Sequence, residues 1–373
     1  MIFAVVYCLI KRYETRLVLI GSGLLLCLIS WNLVGGLNAF AKSMTNASLV
    51  MAICGSMGFA FVAKYTEADR SLVHYLSAPI RGLGIFLVPV CTAITFFVNI
   101  AIPSAAGCAA AVGSTLIPVM LRAGIKPAGA AAAVLAGTIG SYLSPGTSHN
   151  PYVANMAHID VMEFIGFHAP YSIMIGAFGV IGTLIMCILL GDGKGDKNAK
   201  IDESKAQKTD DFTPNPIKAL VPLVPITILV VGNLWCPFIK MGVAQAMVLG
   251  AVIALAVARP NPETFTKEFF NGCGKGYADV MGIIIAAGVF AAGLREAGLI
   301  DVFVQSLKES NEIARWGGSI GPFIMGVITG SGDAATLAFN ETVTPHAEDF
   351  GMSIQGLGGL AFLAGAAGRT ASP

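Results

Sequence analysis

Long stretches without a charged residue dominate the pattern of this chain. Residues 17–41 and 43–63 hold no acid and no base apart from the lysine between them. Each is long enough for one helix across a bilayer, which takes about 20 apolar residues. Residues 82–121 are charge-free throughout, which leaves room for one crossing plus a segment that dips in and returns. Residues 127–159 carry two histidines but no Lys, Arg, Asp or Glu, and 164–191 predicts another crossing. The pattern then breaks. Residues 192–211 hold five lysines and six acids, the signature of a solvated linker. Apolar runs resume at 219–239, 241–258, 280–294, 316–332 and 351–368. The period-two alternation of an outer-membrane barrel is missing. The pattern predicts an all-α polytopic membrane protein, with a first half over 1–191, a linker over 192–216 and a second half over 217–373.

Composition sharpens this. Of 373 residues, 55% are hydrophobic and 12% charged, against about 25% charged in soluble domains, so lipid is the natural solvent. A net charge of +1 supplies no footprint for nucleic acid. The eight cysteines lack metal or redox spacing. His149, His158 and His168 are too far apart for one helix face. No metal centre and no cofactor are expected. At the N-terminus the apolar stretch precedes Lys11, Arg12 and Arg16, the reverse of a secretory signal. That stretch is too short to span, so a partial helix or an upstream start is expected.

The two halves echo each other. Residues 135–145 align without gaps on 363–373, with six of eleven positions identical. Nearly the same offset carries Ser104 onto Ser331, Pro118 onto Pro345 and Gly124 onto Gly351, and brings residues 57–60 onto 287–290. Two structural repeats follow. Repeats of opposite topology about a midplane site are a transporter architecture, although Lys and Arg are spread too evenly to fix orientation.

Helix-breaking and polar residues inside the apolar runs mark where chemistry sits. The first break runs from Asn99 through Pro103 and Ser104 to Gly107, with a counterpart at 329–335. The second is Ser144-Pro145-Gly146-Thr147-Ser148-His149-Asn150-Pro151, with a counterpart at 368–373. These predict a hairpin near 101–123 and a broken helix near 127–159, then a hairpin near 329–350 and a broken helix near 355–373. Unwound backbone at membrane depth is tolerated where it lines a cavity, and a half-helix N-terminus attracts carboxylates. Ser104, Ala105, Gly107, Ser144, Thr147, Ser148, Ser331, Gly332, Arg369, Thr370 and Ser372 are the candidate substrate contacts. Asn99, Gly146 and Asp333 are the candidate contacts for a coupling cation. Arg369 and Asp333 stand out because a charge within a membrane helix is costly and calls for a partner.

At Gly330-Ser331-Gly332-Asp333-Ala334, at Gly368-Arg369-Thr370 with Ser372-Pro373, and over 104–148, the chain resembles the anaerobic C4-dicarboxylate uptake C (DcuC) family of the ion-transporter superfamily. The resemblance covers most of the chain. It implies an inverted repeat with two re-entrant hairpins, dimers with an elevator-like transport domain, and exchange or export of succinate and fumarate across a bacterial inner membrane. It also implies substrate held at 104–107, 144–148, 331–334 and 369–372; the coupling ion expected at the unwound carbonyls and Asp333 is Na⁺ or H⁺, since both can use carbonyl and carboxylate ligands. The chain stops inside its last motif, so by comparison with the first half one further helix is expected.

Other functions fit less well. Gly330-Ser331-Gly332-Asp333 matches the Gly-x-Gly-Asp pattern of intramembrane aspartyl proteases, but Tyr277 is followed by Ala278, so the Tyr-Asp partner that would share the proton is missing. Residues 271–276 lack phosphate-loop spacing. No charge ring marks a channel. An enzyme is not expected. Within transporters, a carrier of another organic anion or amino acid is the alternative.

Overall fold

A computed structural model describes residues 2–11, 13–77, 83–192, 212–300, 302, 311–329 and 332–371. Most of the charged linker, Ser331 and Ser372 lie outside the described residues. Among these residues the structure is helical, with no strand. Six helical stretches are long and apolar enough to cross a membrane: Ala47–Tyr65, Gly84–Ala101, Ala105–Arg122, Val161–Leu189, Pro216–Leu234 and Pro262–Glu296. The protein is therefore a multi-pass membrane protein.

The first helices are α1 (Ile2–Ile10), α2 (Thr15–Ile29), α3 (Leu33–Met44), α4 (Ala47–Tyr65) and α5 (Ala68–Ser77). Next come α6 (Leu87–Ala101), α7 (Ala105–Arg122), α8 (Pro127–Gly137), α9 (His149–Met156) and α10 (Val161–Leu189). After the linker follow α11 (Pro216–Leu220), α12 (Val224–Leu234), α13 (Val243–Ala258), α14 (Pro262–Lys275) and α15 (Gly282–Glu296). The last are α16 (Asn311–Thr329), α17 (Gly332–Thr342) and α18 (Ile354–Thr370).

Two expectations change. The apolar run 17–41 is two helices rather than one crossing. Trp31 adopts a left-handed backbone with φ 59°, and Asn32 caps α3 by accepting the Gly35 N–H at 3.0 Å. The unwinding expected from Gly368 is also not seen, since α18 stays helical through Thr370. Its glycines serve close packing instead: a Cβ on Gly368 would lie 2.1 Å from the Phe323 carbonyl oxygen of α16.

Contacts divide the chain into two compact units. Unit 1 is Met1–Cys54, Ser148–Phe167 and Gly274–Pro373; unit 2 is Gly55–Thr147 and His168–Cys273. Each draws on both sides of the linker.

In unit 1, α2 lies against α15 with almost no side chain between them. A Cβ on Gly293 would sit 2.4 Å from the Gly23 carbonyl oxygen, the close approach that small residues permit in lipid. Leu26, Phe290, Leu294 and Phe350 fill the core beside this contact. A second core joins Tyr152, Val153 and Phe164 to Ile284 and Leu337.

In unit 2, α6, α7 and α8 enclose Val88, Cys91, Val112, Leu116, Met120 and Ala133. Full burial of such side chains stabilises by about 1.5–3 kcal/mol each when the alternative is water. The sharpest contact is at Gly140, where a Cβ would lie 2.0 Å from the Phe96 carbonyl oxygen.

Candidate functional site

The predicted breaks at 102–104 and 144–148 are present, and unit 2 brings the first together with residues 144–147 of the second. Helix α6 stops at Ala101, and Pro103 lacks the N–H needed to continue it. Ser104 then starts α7 by accepting the Gly107 N–H on Oγ at 3.1 Å, a side-chain cap of the usual kind. Downstream, α8 tightens into a 3₁₀ turn over Thr138–Leu143 and opens at Ser144. Asn99 ties the two breaks together. It is 0% exposed; its Nδ2 donates to the Ile102 carbonyl at 2.9 Å, and its Oδ1 accepts the Ser141 N–H at 2.6 Å. Both ends of this amide are engaged by backbone, one in each break.

The other unit 2 candidates cluster here. Thr147 Oγ1 donates to the Ser141 carbonyl at 2.6 Å, and Ser144 Oγ faces the Gly146 N–H at 3.4 Å. Ala105 and Gly107 form the half-buried first turn of α7. Gly146 packs beside Pro103 and Ser56: a Cβ there would meet both, at 3.1 and 3.2 Å. Ser56 is 1% exposed and its hydroxyl has no hydrogen-bond partner among the described residues. Sequence reasoning passed over it as one small residue in an apolar helix.

Beside α7 lies a second residue that the sequence did not single out. Asp69, in the first turn of α5, is 7% exposed and acts electrostatically on Cys108 of α7. Burial pushes its carboxyl up to about 6, against the pull of the Arg70 N–H and of the Lys64 and Arg70 charges.

Unit 1 holds the remaining candidates. Gly332 and Asp333 open α17, and Arg369 and Thr370 close α18. The two helices touch through glycine: a Cβ on Gly332 would lie 2.5 Å from the Gly365 carbonyl oxygen. His149, the first residue of α9, completes the group. Its Nδ1 is 3.9 Å from Asp333 Oδ1 and 3.5 Å from Ser148 Oγ, and the Arg369 charge acts on its ring. Asp333 is 56% exposed and His149 1%, so a wet carboxylate meets a dry imidazole. Farther along α9 and α17, the Tyr152 hydroxyl donates to Glu341. The sequence pointed to the motif containing His149 but weighed the residue only as a metal ligand. Among the described residues, no group of three or more His, Cys, Asp or Glu side chains is placed to hold a metal.

The chemistry open to this group is anion binding. A helix N-terminus offers N–H groups and the positive end of a dipole, and Arg369 offers a planar fork matched to a carboxylate.

Comparison with known proteins gives a consistent picture. The family model for DcuC, the C4-dicarboxylate anaerobic carrier, matches residues 36–366. An uncharacterised transporter of Haemophilus influenzae is 45% identical over 239 residues, 62% of this chain and 86% of its own length. The anaerobic C4-dicarboxylate transporter DcuC of Escherichia coli K12 is 28% identical over 345 residues, 87% of this chain and 71% of its own length. The crystal structure of the YdaH transporter of Alcanivorax borkumensis superposes with a TM-score of 0.54 over 90% of this chain and 75% of that one, at 13% identity; this is a likeness of fold. These relatives are transporters, in keeping with the expectation that the chain is not an enzyme.

Proposed function

Because the chain belongs to the C4-dicarboxylate anaerobic carrier family, we propose that it is a secondary active transporter of C4-dicarboxylates, exchanging or exporting succinate and fumarate across a bacterial inner membrane. The observation that carries the reading is the unit 1 group, in which Arg369 and His149 gather at the N-terminus of α17. A carboxylate bound there meets N–H donors, a helix dipole and a guanidinium together. Gly332 lets α17 approach α18 closely enough for this, and Thr370 belongs to the same binding region. In unit 2, Ser104, Ser144, Thr147 and the α7 N-terminus form a second donor-rich group of the same kind.

The two halves work as inverted repeats with re-entrant hairpins, in a homodimer whose transport domain moves as an elevator. Matched backbone conformations support the repeat. Gly124, after α7, and Gly351, after the 3₁₀ turn Thr344–Phe350, are both left-handed, with φ +83° and +67°. Glycine adopts this conformation at little cost, and each lies between a hairpin arm and the following helix. Transport is coupled to a cation, Na⁺ or H⁺; Asp333 is its candidate contact in unit 1 and, separately, the carbonyls around Gly146 and Asn99 are its candidate contacts in unit 2.

The test is counterflow. Proteoliposomes preloaded with unlabelled succinate are given labelled succinate outside, and uptake is followed. Accumulation that unlabelled fumarate competes away supports the reading. Inserted, folded protein that moves neither succinate nor fumarate refutes the substrate class.

A further inference from the structure

We propose that His149 is the side chain through which the unit 1 site takes up a proton when a dicarboxylate binds. The inference rests on the dicarboxylate reading and adds a residue and a coupling mode to it. The ring is held firmly: it is 1% exposed and stacks on Phe362 with centroids 4.5 Å apart and planes 7° from parallel. Its Nδ1 faces Ser148 Oγ and Asp333 Oδ1. Its Nε2 is buried and has no hydrogen-bond partner among the described residues. Buried polar atoms are nearly always paired, so a histidine that served only to fill space would not be expected to leave one nitrogen unpaired. In unit 2, the buried His168 sets its Nδ1 2.9 Å from Ser172 Oγ.

The charges around the ring set the sign of the effect. The helices packed on α9 are α17 and α18. The first brings Asp333 to the ring and, farther along, Glu341, which takes the Tyr152 hydroxyl. The second brings Arg369. The parts of α15 and α4 that share the core with α9, through Ile284, Ile285, Leu49 and Ile53, are apolar. With a neutral imidazole, Asp333 and Arg369 cancel. With an imidazolium, the group carries one net positive charge; burial and Arg369 oppose that cation in the empty site, while the Asp333 carboxylate and the Phe362 face favour it. A dianion arriving at the α17 N-terminus therefore favours protonation, and by reciprocity protonation favours the dianion. The proton comes from solvent, forms one N–H bond on the ring, and returns to solvent when the dianion leaves.

The experiment is calorimetric titration of the purified full chain with fumarate, whose carboxylates both stay ionised above pH 6. It is run in two buffers of different ionisation enthalpy and repeated across pH 6–8.5. The expected result is net proton uptake on binding, with Kd weakening towards about tenfold per pH unit where the free site is unprotonated. In His149→Gln, whatever fumarate binding remains should come with no proton uptake and a flat pH profile; His149→Asn serves if the glutamine variant does not fold or does not bind. Asp333→Asn should move the uptake to lower pH, which a purely structural histidine would not do. Fumarate binding by the wild type without proton uptake overturns the proposal, and so does unchanged uptake in either His149 variant. No binding of fumarate or succinate at any pH would instead overturn the substrate reading on which the proposal stands.

Discussion

Asp69 offers a prediction whose size follows from its surroundings. Asp69 lies on α5, which packs against α6 and α7, at 7% exposure, and its carboxyl's ordinary value of 3.8 rises to about 6, chiefly through burial. A folded-state value above the unfolded one means that the group's contribution is fully present below pH 3.8 and lost as pH rises through about 6. The shift corresponds to about 3 kcal/mol at roughly 1.4 kcal/mol per unit. Above pH 7 the wild type therefore carries a burden that Asp69→Asn lacks, since asparagine can still accept the Arg70 N–H. At pH 4 the difference should fall below about 1 kcal/mol, because little ionisation is then suppressed. Thermal unfolding in detergent at pH 4 and pH 7.5 reads it directly. The variant should gain roughly 6–12 °C at pH 7.5, for a body the size of unit 2, and little at pH 4. An equal offset at both pH values would refute the reasoning, because it would place the carboxylate in contact with water.

Arg369→Ala should abolish succinate counterflow, whereas Arg369→Lys should leave a weaker, less selective carrier because lysine lacks the bidentate fork; wild-type rates in the alanine variant would remove Arg369 from the site. Asn99→Ala should strand the Ser141 N–H and the Ile102 carbonyl in a buried place, costing about 1–3 kcal/mol for each group, and denaturation midpoints compared with Asn99→Asp, which keeps only the acceptor, would show which bond matters more. Gly368→Ala would press a methyl against the Phe323 carbonyl at 2.1 Å and should lower stability by about 1–3 kcal/mol. Gly317→Ala on α16, with open space around it, should be near neutral, and equal melting temperatures for the two would disprove the close crossing.

The sequence disclosed whatever depends on solvent preference. Runs 82–121 and 241–258 became α6 with α7 and α13 because charge-free residues have only lipid or protein to face. Helices α5 and α14 went unpredicted for the converse reason: Asp69, Arg70, Glu263, Lys267 and Glu268 give them the composition of loops. The break at 102–104 was legible because proline acts locally. The continuation of α18 past Gly368 was not, since a glycine that admits a neighbouring helix and one that unwinds its own look alike in one dimension. Arg369 and Asp333 drew notice as isolated charges. Ser56, Asp69 and His149 needed three dimensions, because their interest lies in burial and in which partners they lack or meet.

Unit 1 is assembled from distant stretches of chain, and this bears on its biogenesis. The Gly23 face of α2 meets its partner only at Val289 and Gly293. At about 5–20 residues per second, translation takes roughly a quarter of a minute to a minute to reach that partner. All of unit 2 is synthesised in the meantime. Throughout that interval the Gly23 face of α2 lacks the helix it packs on in unit 1. Unit 1 thus closes only after unit 2 has been made, and its early helices are exposed to mispairing until then.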